Sequence, residues 1–457
     1  MPTIIIIGGG FCGVSLTHAL ARRPWPGGLR IVVVDHTGRF GRGAAYSTTH
    51  PSHLLNVPAG RMGALADDES HFLTWLRRGD SSVAGDAFVP RSAYGDYLEH
   101  LFNEARSHAA SGVTIEARHD RAIAVHTGEG SPRVALASGE MIEADRVVLA
   151  TGNLPPRDVD GVSAIAGQRA YVSDPWAAGA LGAIAGASSV LLVGTGLTMV
   201  DVVLALHQHN PDAHFVAVSR HGMLPHPHRD APTRPVGIPS SRWMNHWNGS
   251  ASELLRILRD EAHAAADAGM DWRDVVNGLR PFTPALWSRM PAREQARFYR
   301  HIRPFWDTHR HRMSQRVAVA IEELAAADRL SIVAGRIAAC AFDGHRVAVD
   351  VRRRSGETER PIVDAVINCT GPCTDLARTT DPLFADLRAR RLITPDPLGI
   401  GLITTDDGAV VDSAGRASNT MFTLGGTRRP ALWESTAVPE LREQAGALAG
   451  HLRRSLV

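Results

Sequence analysis

Two runs of uninterrupted aliphatic residues, Ile4–Ile7 and Val190–Val193, each lead into a glycine-spaced turn and then into a segment of helical period. Apolar runs without polar alternation mark strands buried on both faces, as in a parallel sheet covered by helices. A second aliphatic run follows each: Ile31–Val34 closes on Asp35, and Phe215–Val218 closes on Ser219 and Arg220. The pattern therefore predicts two strand–turn–helix–strand units. Short alternating strands come next, over 121–126 and 133–137 with a turn at Ser138 and Gly139, and the chain returns on an apolar strand ending at Thr151 and Gly152. After the second unit, 330–335, 346–351 and 364–371 repeat that plan and end at Thr370 and Gly371. One plan is used twice.

Between these strands the period changes. Residues 41–110 form an excursion with helices predicted over Ser70–Arg78 and Ser92–Arg106, the latter with Tyr94, Tyr97, Leu98 and Leu101 on one face. A second excursion, 226–328, opens with a loop rich in Pro, His and Arg from Leu224 to Pro239 and is then helical. Ser252 is the expected N-cap for 253–268, and a longer helical run over Ala292–Leu324 should break at Pro304. Near the end, a strand over 419–426 runs into Gly425, and a helix follows over 437–452 with Pro439 in its first turn. The expected fold class is α/β: two Rossmann-like units with a helical insert. The boundaries are 1–157 for the first part of unit one, 158–370 for unit two, and 371–457 for the return to unit one.

Composition narrows the classes. The chain has 457 residues, 44% hydrophobic and 21% charged, with a formal net charge of +2. That is long enough for two or three cores and offers no bulk field for nucleic acid or an anionic membrane. The Ile4–Ile7 run is too short to span a bilayer. Four cysteines without framework spacing argue against a disulfide scaffold and for the cytoplasm. All 49 basic residues are arginine. No Schiff-base, P-loop or general-base lysine can operate here.

The glycine turns carry the chemistry. Gly8, Gly10 and Gly13 stand at Gly-x-Gly-x-x-Gly spacing between a strand and a helix, with Asp35 at the end of the next strand. Gly8 allows the tight turn, Gly10 lets backbone approach a pyrophosphate, and Gly13 lets helix pack on strand. An acid at the place of Asp35 accepts from ribose hydroxyls, so the first unit is expected to hold FAD. In the second turn Gly194 and Gly196 are in place, but Met199 occupies the third glycine position, so its helix should stand further out. Ser219 and Arg220 offer a hydroxyl and a guanidinium where a 2′-phosphate would lie, which suits NADPH. Thr151, Gly152, Gly371 and Gly425 end strands where backbone could pass close to a cofactor, and Arg42 is a further cofactor-binding candidate. Trp433 and Glu434, just before the last helix, and Asn56 are candidate contacts to a flavin ring.

With these motifs in hand, the chain resembles bacterial FAD/NAD(P)-binding proteins related to class B flavoprotein monooxygenases, the superfamily of amino-acid N-hydroxylases and Baeyer–Villiger enzymes. The resemblance runs nearly the whole length. It rests on Gly8–Gly13, Gly43–Tyr46, Leu54–Pro58, Ala150–Gly152, Gly194–Asp201, Arg303–Arg310, Asn368–Pro372 and Leu432–Ala437. It implies a three-layer, glutathione-reductase-like arrangement, FAD and NADPH as cofactors, and molecular oxygen with a small polar or anionic molecule as substrates. A departure puts ketone oxygenation in doubt: where Baeyer–Villiger enzymes carry Phe-x-Gly-x-x-x-His-x-x-x-Trp, this chain has Ile165, Gly167, Tyr171 and Trp176. Oxygenation of nitrogen or another heteroatom is the expected activity. An acceptor reductase without oxygen insertion and a redox-sensing flavoprotein are the alternatives.

Cys369 and Cys373 are separated by three residues, unlike the usual redox dithiols, and are expected to be inert. Residues 289–316 hold eight arginines and three histidines against two acids, either a solvated helix face or an anion-attracting wall. His309 and His311 find no third ligand at convincing spacing, so no metal site is expected.

Overall fold

The computed structural model describes residues 1–128, 130–229 and 246–456. The part of the predicted Leu224–Pro239 loop beyond Arg229 lies outside the described residues.

The aliphatic runs form central parallel strands, because only a site covered on both faces removes so much apolar surface from water. The first sheet has the order Ala409–Val411, Ala417–Thr423, Arg146–Leu149, Thr3–Ile7, Leu29–Asp35, Val113–His119. Thr3–Ile7 lies at its centre, in parallel register with Arg30–Val34 on one side and Arg146–Leu149 on the other. Ile4, Ile5 and Ile6 are fully buried, each worth about 1.5–3 kcal/mol. The helix Phe11–Ala21, the helix Arg91–Ser107 and the C-terminal helix Val438–Leu456 cover one face. Tyr94, Tyr97, Leu98 and Leu101 all point into that core, as their spacing predicted. On the other face lies a three-stranded meander, Ala122–His126, Arg133–Leu136 and Met141–Glu143.

The second sheet runs Thr358–Glu359, Val347–Arg353, Leu330–Phe342, His214–Ser219, Ser189–Val193, Ala365–Asn368, Tyr171–Val172. Its meander does not form a separate layer as in the first unit. Leu330–Phe342 is one long strand, parallel to Phe215–Ser219 at its start and antiparallel to Val347–Arg353 at its end. Met199 is wholly buried among Val190, Leu192, Val203 and Val317. The helix Leu197–His209 therefore packs through a large side chain, where Gly13 in the first unit permits backbone approach.

Three sequence expectations are corrected. The helix Ala251–Asp267 is capped by Ser250, whose Oγ accepts from Glu253 N at 3.4 Å; Ser252 lies in the first turn. Pro304 does not break the long helical run. It sits in the first turn of Arg303–Arg310, where its missing N–H leaves no bond unmade, and the interruption falls at 311–314. The helix Gln315–Ala326 belongs to unit two rather than to the insert, since Val317, Ala318, Ile321 and Leu324 pack against Leu192 and Phe215. The insert has its own apolar cluster around Trp247, Leu286, Trp287 and Phe298, which also takes in Ile400 and Trp433 from the return segment.

Candidate functional site

Both glycine turns have the geometry their spacing anticipates. Gly8 has φ +113° and Gly194 φ +114°. A Cβ at Gly8 would lie 2.2 Å from the Ala150 carbonyl oxygen, and one at Gly194 would lie 2.6 Å from that of Cys369. Gly13 is needed for packing, because its Cβ would lie 2.0 Å from the Gly8 carbonyl oxygen. Gly10 and Gly196 are the N-caps of Phe11–Ala21 and Leu197–His209, and neither helix start has a side-chain cap. Their first N–H groups are thus left for an anion. A Cβ at Gly196 would meet nothing within 4 Å, and Gly152 and Gly371, with φ +65° and +88°, are equally open. Thr151 keeps a buried Oγ1 without a hydrogen-bond partner. The uncapped helix starts at both turns, the open space at Gly152, Gly196 and Gly371, and this orphaned hydroxyl fit dinucleotide phosphates.

The strand-end residues are partly engaged by the protein itself. Asp35 Oδ2 accepts from Gly9 N at 2.8 Å, and its Oδ1 accepts from Thr37 N and Oγ1 at 2.8 and 2.6 Å. The carboxylate thus shapes the turn and keeps little accepting capacity for a ribose. Ser219 Oγ accepts from Gly222 N at 3.0 Å and lies 2.9 Å from Thr195 Oγ1, so its hydroxyl is committed to the loop. Arg220 is exposed. The register pairs Ser219 with Ala334 and Gly335 with Arg353, which brings Arg220, Arg336 and Arg354 to one sheet corner. His221 at that corner has its basicity lowered by burial and then by these three cations. The ring of Phe305, 48% exposed, lies 6.0 Å from His221.

Other candidates take different places. Arg42 is buried and directs its guanidinium to Asp96 and Glu99 on the helix Arg91–Ser107. Gly425, with φ +90°, donates its N–H to Gln444 Oε1 at 2.9 Å. Trp433 turns into the insert, 4.6 Å from Trp287 and under the Arg429 guanidinium at 4.4 Å. Its φ of +57° is rare for an aromatic residue and stores backbone strain. Glu434 is buried, accepting from Trp306 Nε1 at 3.2 Å, with Arg310 Nη2 3.4 Å away.

Asn56 lines a cavity of about 830 Å³ together with Pro58, Tyr46 and the start of the C-terminal helix at Thr436–Val438. The opposite wall comes from the insert and unit two. Among the described residues, seven arginines line this space against a single acid, the exposed Asp86. Four are matched to carboxylates: Arg91 to Asp201, Arg229 to Asp274, Arg280 to Glu440 and Arg310 to Glu434. Arg61, Arg312 and Arg316 form no ion pair among the described residues. Arg312 is 3% exposed, and burial followed by repulsion from Arg310 and Arg273 pushes its pKa down to about 10. His228 bridges the walls, its Nε2 donating to the Asn56 carbonyl at 3.0 Å; burial and then Arg312 push it down to about 4, so it is neutral. A smaller cavity of about 300 Å³ beside His18 and Arg453 holds none of the candidate residues.

Beside this space a buried contact joins the two units. Arg91 Nη2 pairs with Asp201 Oδ2 at 2.7 Å, and His53 Nε2 donates to the Asp201 carbonyl at 3.0 Å. Arg91, Arg280, Arg312 and His53 were not anticipated. The arginine-rich 289–316 segment was the one signal pointing toward this wall, and it contains Arg310, Arg312 and Arg316. Among the described residues no cluster of side chains could hold a metal ion and no helix is long and apolar enough to cross a membrane.

Comparison with known proteins agrees with this architecture. Residues 5–154 match the model of an FAD-NAD(P)-binding family. Over its whole length the chain superposes on the reduced form of ornithine hydroxylase from Pseudomonas aeruginosa, with TM-score 0.67 and 16% identity over 100% of both chains. L-lysine 6-monooxygenase from Pseudomonas syringae gives 0.64 and 18%, again over 100% of both. An ornithine N-hydroxylase from Kutzneria, solved with reduced FAD, NADP+ and L-ornithine, gives 0.63 and 18% over 99% of each chain. At such identities the likeness establishes the fold: this is the two-unit α/β architecture of the ornithine and lysine hydroxylases. In sequence, a 169-residue stretch is 27% identical to nitrosuccinic acid synthase from Aspergillus oryzae, covering 33% of this chain and 26% of that protein.

Proposed function

We propose that this protein is an FAD-dependent, NADPH-consuming monooxygenase that oxygenates nitrogen, or another heteroatom, of a small polar or anionic molecule. FAD belongs to unit one, residues 1–157 with the return segment 371–457, and NADPH to unit two, residues 158–370. The observation that carries this reading is the pair of glycine turns with uncapped helix starts, in two units whose facing walls enclose one cavity. The relatives support nitrogen as the oxygenated atom: ornithine and lysine hydroxylases share the fold, and nitrosuccinic acid carries an oxygenated nitrogen.

For an amine the balance is one amine, one O2, one NADPH and one proton giving a hydroxylamine, NADP+ and water. Bound FAD would supply the electron relay and the activation of oxygen, which no protein side chain provides. The chain's own residues bind, orient and exclude water. Gly8, Gly10 and Gly13 with the helix start at Phe11 would seat one pyrophosphate, and Gly194 and Gly196 the other. Arg220, joined by Arg336 and Arg354, would select the 2′-phosphate. Buried Trp433 and Glu434 hold the loop before Val438 against the insert, closing the cavity wall. The flavin-ring contacts expected of Asn56, Trp433 and Glu434 remain part of this proposal, with Trp433 and Glu434 also supporting the loop.

Purified protein should carry FAD and oxidise NADPH in a substrate-dependent way. With isotopically heavy oxygen gas, one labelled atom should enter the product. Unlabelled product beside sustained NADPH oxidation would favour the acceptor reductase. Absence of any NADPH turnover would favour a sensor.

A further inference from the structure

The helix that begins at the second glycine turn carries a buried acid where its ligand would be an anion. Leu197–His209 offers its uncapped first N–H groups to a phosphate, yet Asp201 stands only about 6 Å along the axis from its first residue. The Asp201 side chain is 8% exposed. A negative charge so placed repels the phosphate unless a cation matches it, and water is not there to screen it. The matching cation comes from the other unit: Arg91 Nη2 lies 2.7 Å from Asp201 Oδ2.

Arg91 is itself fixed to the loop that carries Asn56. Its N–H donates to the His53 carbonyl at 2.8 Å, its Nε donates to the Leu54 carbonyl at 3.1 Å, and Leu54 bridges to Pro90. From that loop three further contacts reach unit two. His53 Nε2 donates to the Asp201 main-chain carbonyl at 3.0 Å, Leu54 packs against the unit-two core, and the Asn56 carbonyl accepts from His228 Nε2 at 3.0 Å. Thr48 Oγ1, 2.6 Å from His53 Nδ1, donates to that nitrogen and so leaves the ring proton on Nε2. One residue of the helix is thus held twice, by its carboxylate and by its carbonyl, from a single short loop of unit one.

Resting on the two-cofactor reading above, we propose that Asp201 and Arg91 are positioning residues for hydride transfer: their ion pair sets where the NADPH-bearing helix stands against the loop of Asn56, which that reading places at the flavin. In the step concerned NADPH gives up a hydride, a proton with two electrons, and becomes NADP+, while FAD takes the hydride and one proton from solvent. Neither residue touches the reacting atoms. Two grips on Asp201 keep the helix from sliding along its axis or turning about it, and a misplacement of about 1 Å costs such a reaction roughly a hundredfold in rate. The charge pair also explains why an acid is tolerated beside the phosphate seat, since docking of the two units is what neutralises it.

The test combines three measurements on the FAD-loaded full chain: anaerobic stopped-flow reduction of the flavin by saturating NADPH, calorimetric titration with NADP+, and hydrogen–deuterium exchange without nucleotide. In Asp201→Asn the limiting reduction rate should fall about tenfold or more. NADP+ should bind that variant at least as tightly as parent, because an acid beside the phosphate seat has gone. Exchange over 50–56 should rise about ten- to a hundredfold, the range for losing a bond to a charged group, while 197–209 stays protected. The slowdowns of Asp201→Asn and Arg91→Gln should not multiply in the double variant, since each breaks the same link. Destabilisation alone leaves the limiting rate of the folded fraction unchanged, so an unaltered rate in Asp201→Asn overturns the proposal. Slowdowns that multiply overturn it too, as does weakened NADP+ binding with an unaltered limiting rate. If Asp201→Asn is isolated without flavin, His53→Gln, which cuts the main-chain grip, should show the same slower reduction and faster exchange, and parent-like values there overturn it. A parent flavin that NADPH does not reduce would sink the two-cofactor reading; the exchange data still decide the link, and unchanged protection over 50–56 in Asp201→Asn would sink that.

Discussion

The contact between Arg91 and Asp201 gives a sharp test of how the two units are joined. Asp201 is held in the helix that follows the second glycine turn, while Arg91 starts a helix of unit one. Their N···O distance is 2.7 Å, with side chains 17% and 8% exposed. Burial raises the Asp201 pKa, and Arg91, by charge and hydrogen bond, pulls it back toward the ionised form. Truncation in Arg91→Ala leaves that carboxylate buried and alone, which should destabilise the protein by about 3–5 kcal/mol at neutral pH. Without Arg91 the Asp201 pKa rises further. Between the unfolded carboxylate pKa and that raised value the folded state then binds more protons, so the variant's deficit should shrink on acidification. Adding Asp201→Asn removes the stranded charge, and the double variant should be more stable than Arg91→Ala alone. Urea denaturation of parent, single and double variants at neutral and mildly acidic pH reads all three statements. A deficit for Arg91→Ala within about 1 kcal/mol of parent, or a double variant less stable than the single, would show that the pair is solvated and the argument wrong.

Other consequences can be checked separately. Gly8→Ala places a Cβ 2.2 Å from the Ala150 carbonyl oxygen at a φ of +113°, so the variant should be isolated without flavin, read from its visible spectrum. Arg220→Ala should raise the Michaelis constant for NADPH about tenfold or more and leave that for NADH unchanged, and Arg336→Ala and Arg354→Ala should do so more weakly; equal effects on both nucleotides would remove the corner from cofactor selection. His53 is pushed down to about 4, first by burial, so its unfolded form takes up a proton near 6.5 that the folded form refuses. Its contribution is complete above pH 6.5 and is lost as the pH falls toward 4, by roughly 3 kcal/mol at about 1.4 kcal/mol per pH unit. His53→Gln should flatten that part of the stability profile. Cys369 is buried and its thiol pKa is raised by desolvation, so iodoacetamide should leave turnover unchanged even after NADPH pretreatment; inhibition would restore a dithiol role.

The parts legible in sequence were those encoded over short spans. A five-residue aliphatic strand, a glycine at the one place where φ must be positive, and a helix face built from Tyr94, Tyr97, Leu98 and Leu101 all follow from neighbours along the chain. Boundaries went astray where two local signals competed. Ser250 and Ser252 are both competent caps, and only the turn of the chain at Gly249, with φ +84°, selects the first. Pro304 is a helix breaker or a helix starter depending on where the preceding turn ends, and the π-type turn Phe298–Ile302 decides that. Gln315–Ala326 has the amphipathic pattern of an insert helix, yet its apolar face fits unit two.

Short stretches of the chain are enough to show two dinucleotide-type glycine turns, each between a strand and a helix, and composition excludes lysine chemistry, because these are properties of adjacent residues or of the residue count. Folding adds that Arg61, Arg280, Arg310 and Arg312 face one space, that Arg336 and Arg354 join Arg220, and that Trp433 braces the insert. These groups come from segments far apart along the chain, brought together by sheet register and helix packing. Whether an arginine is a solvated surface charge or a buried donor awaiting an anion depends on what surrounds its guanidinium, and no spacing along the chain records that.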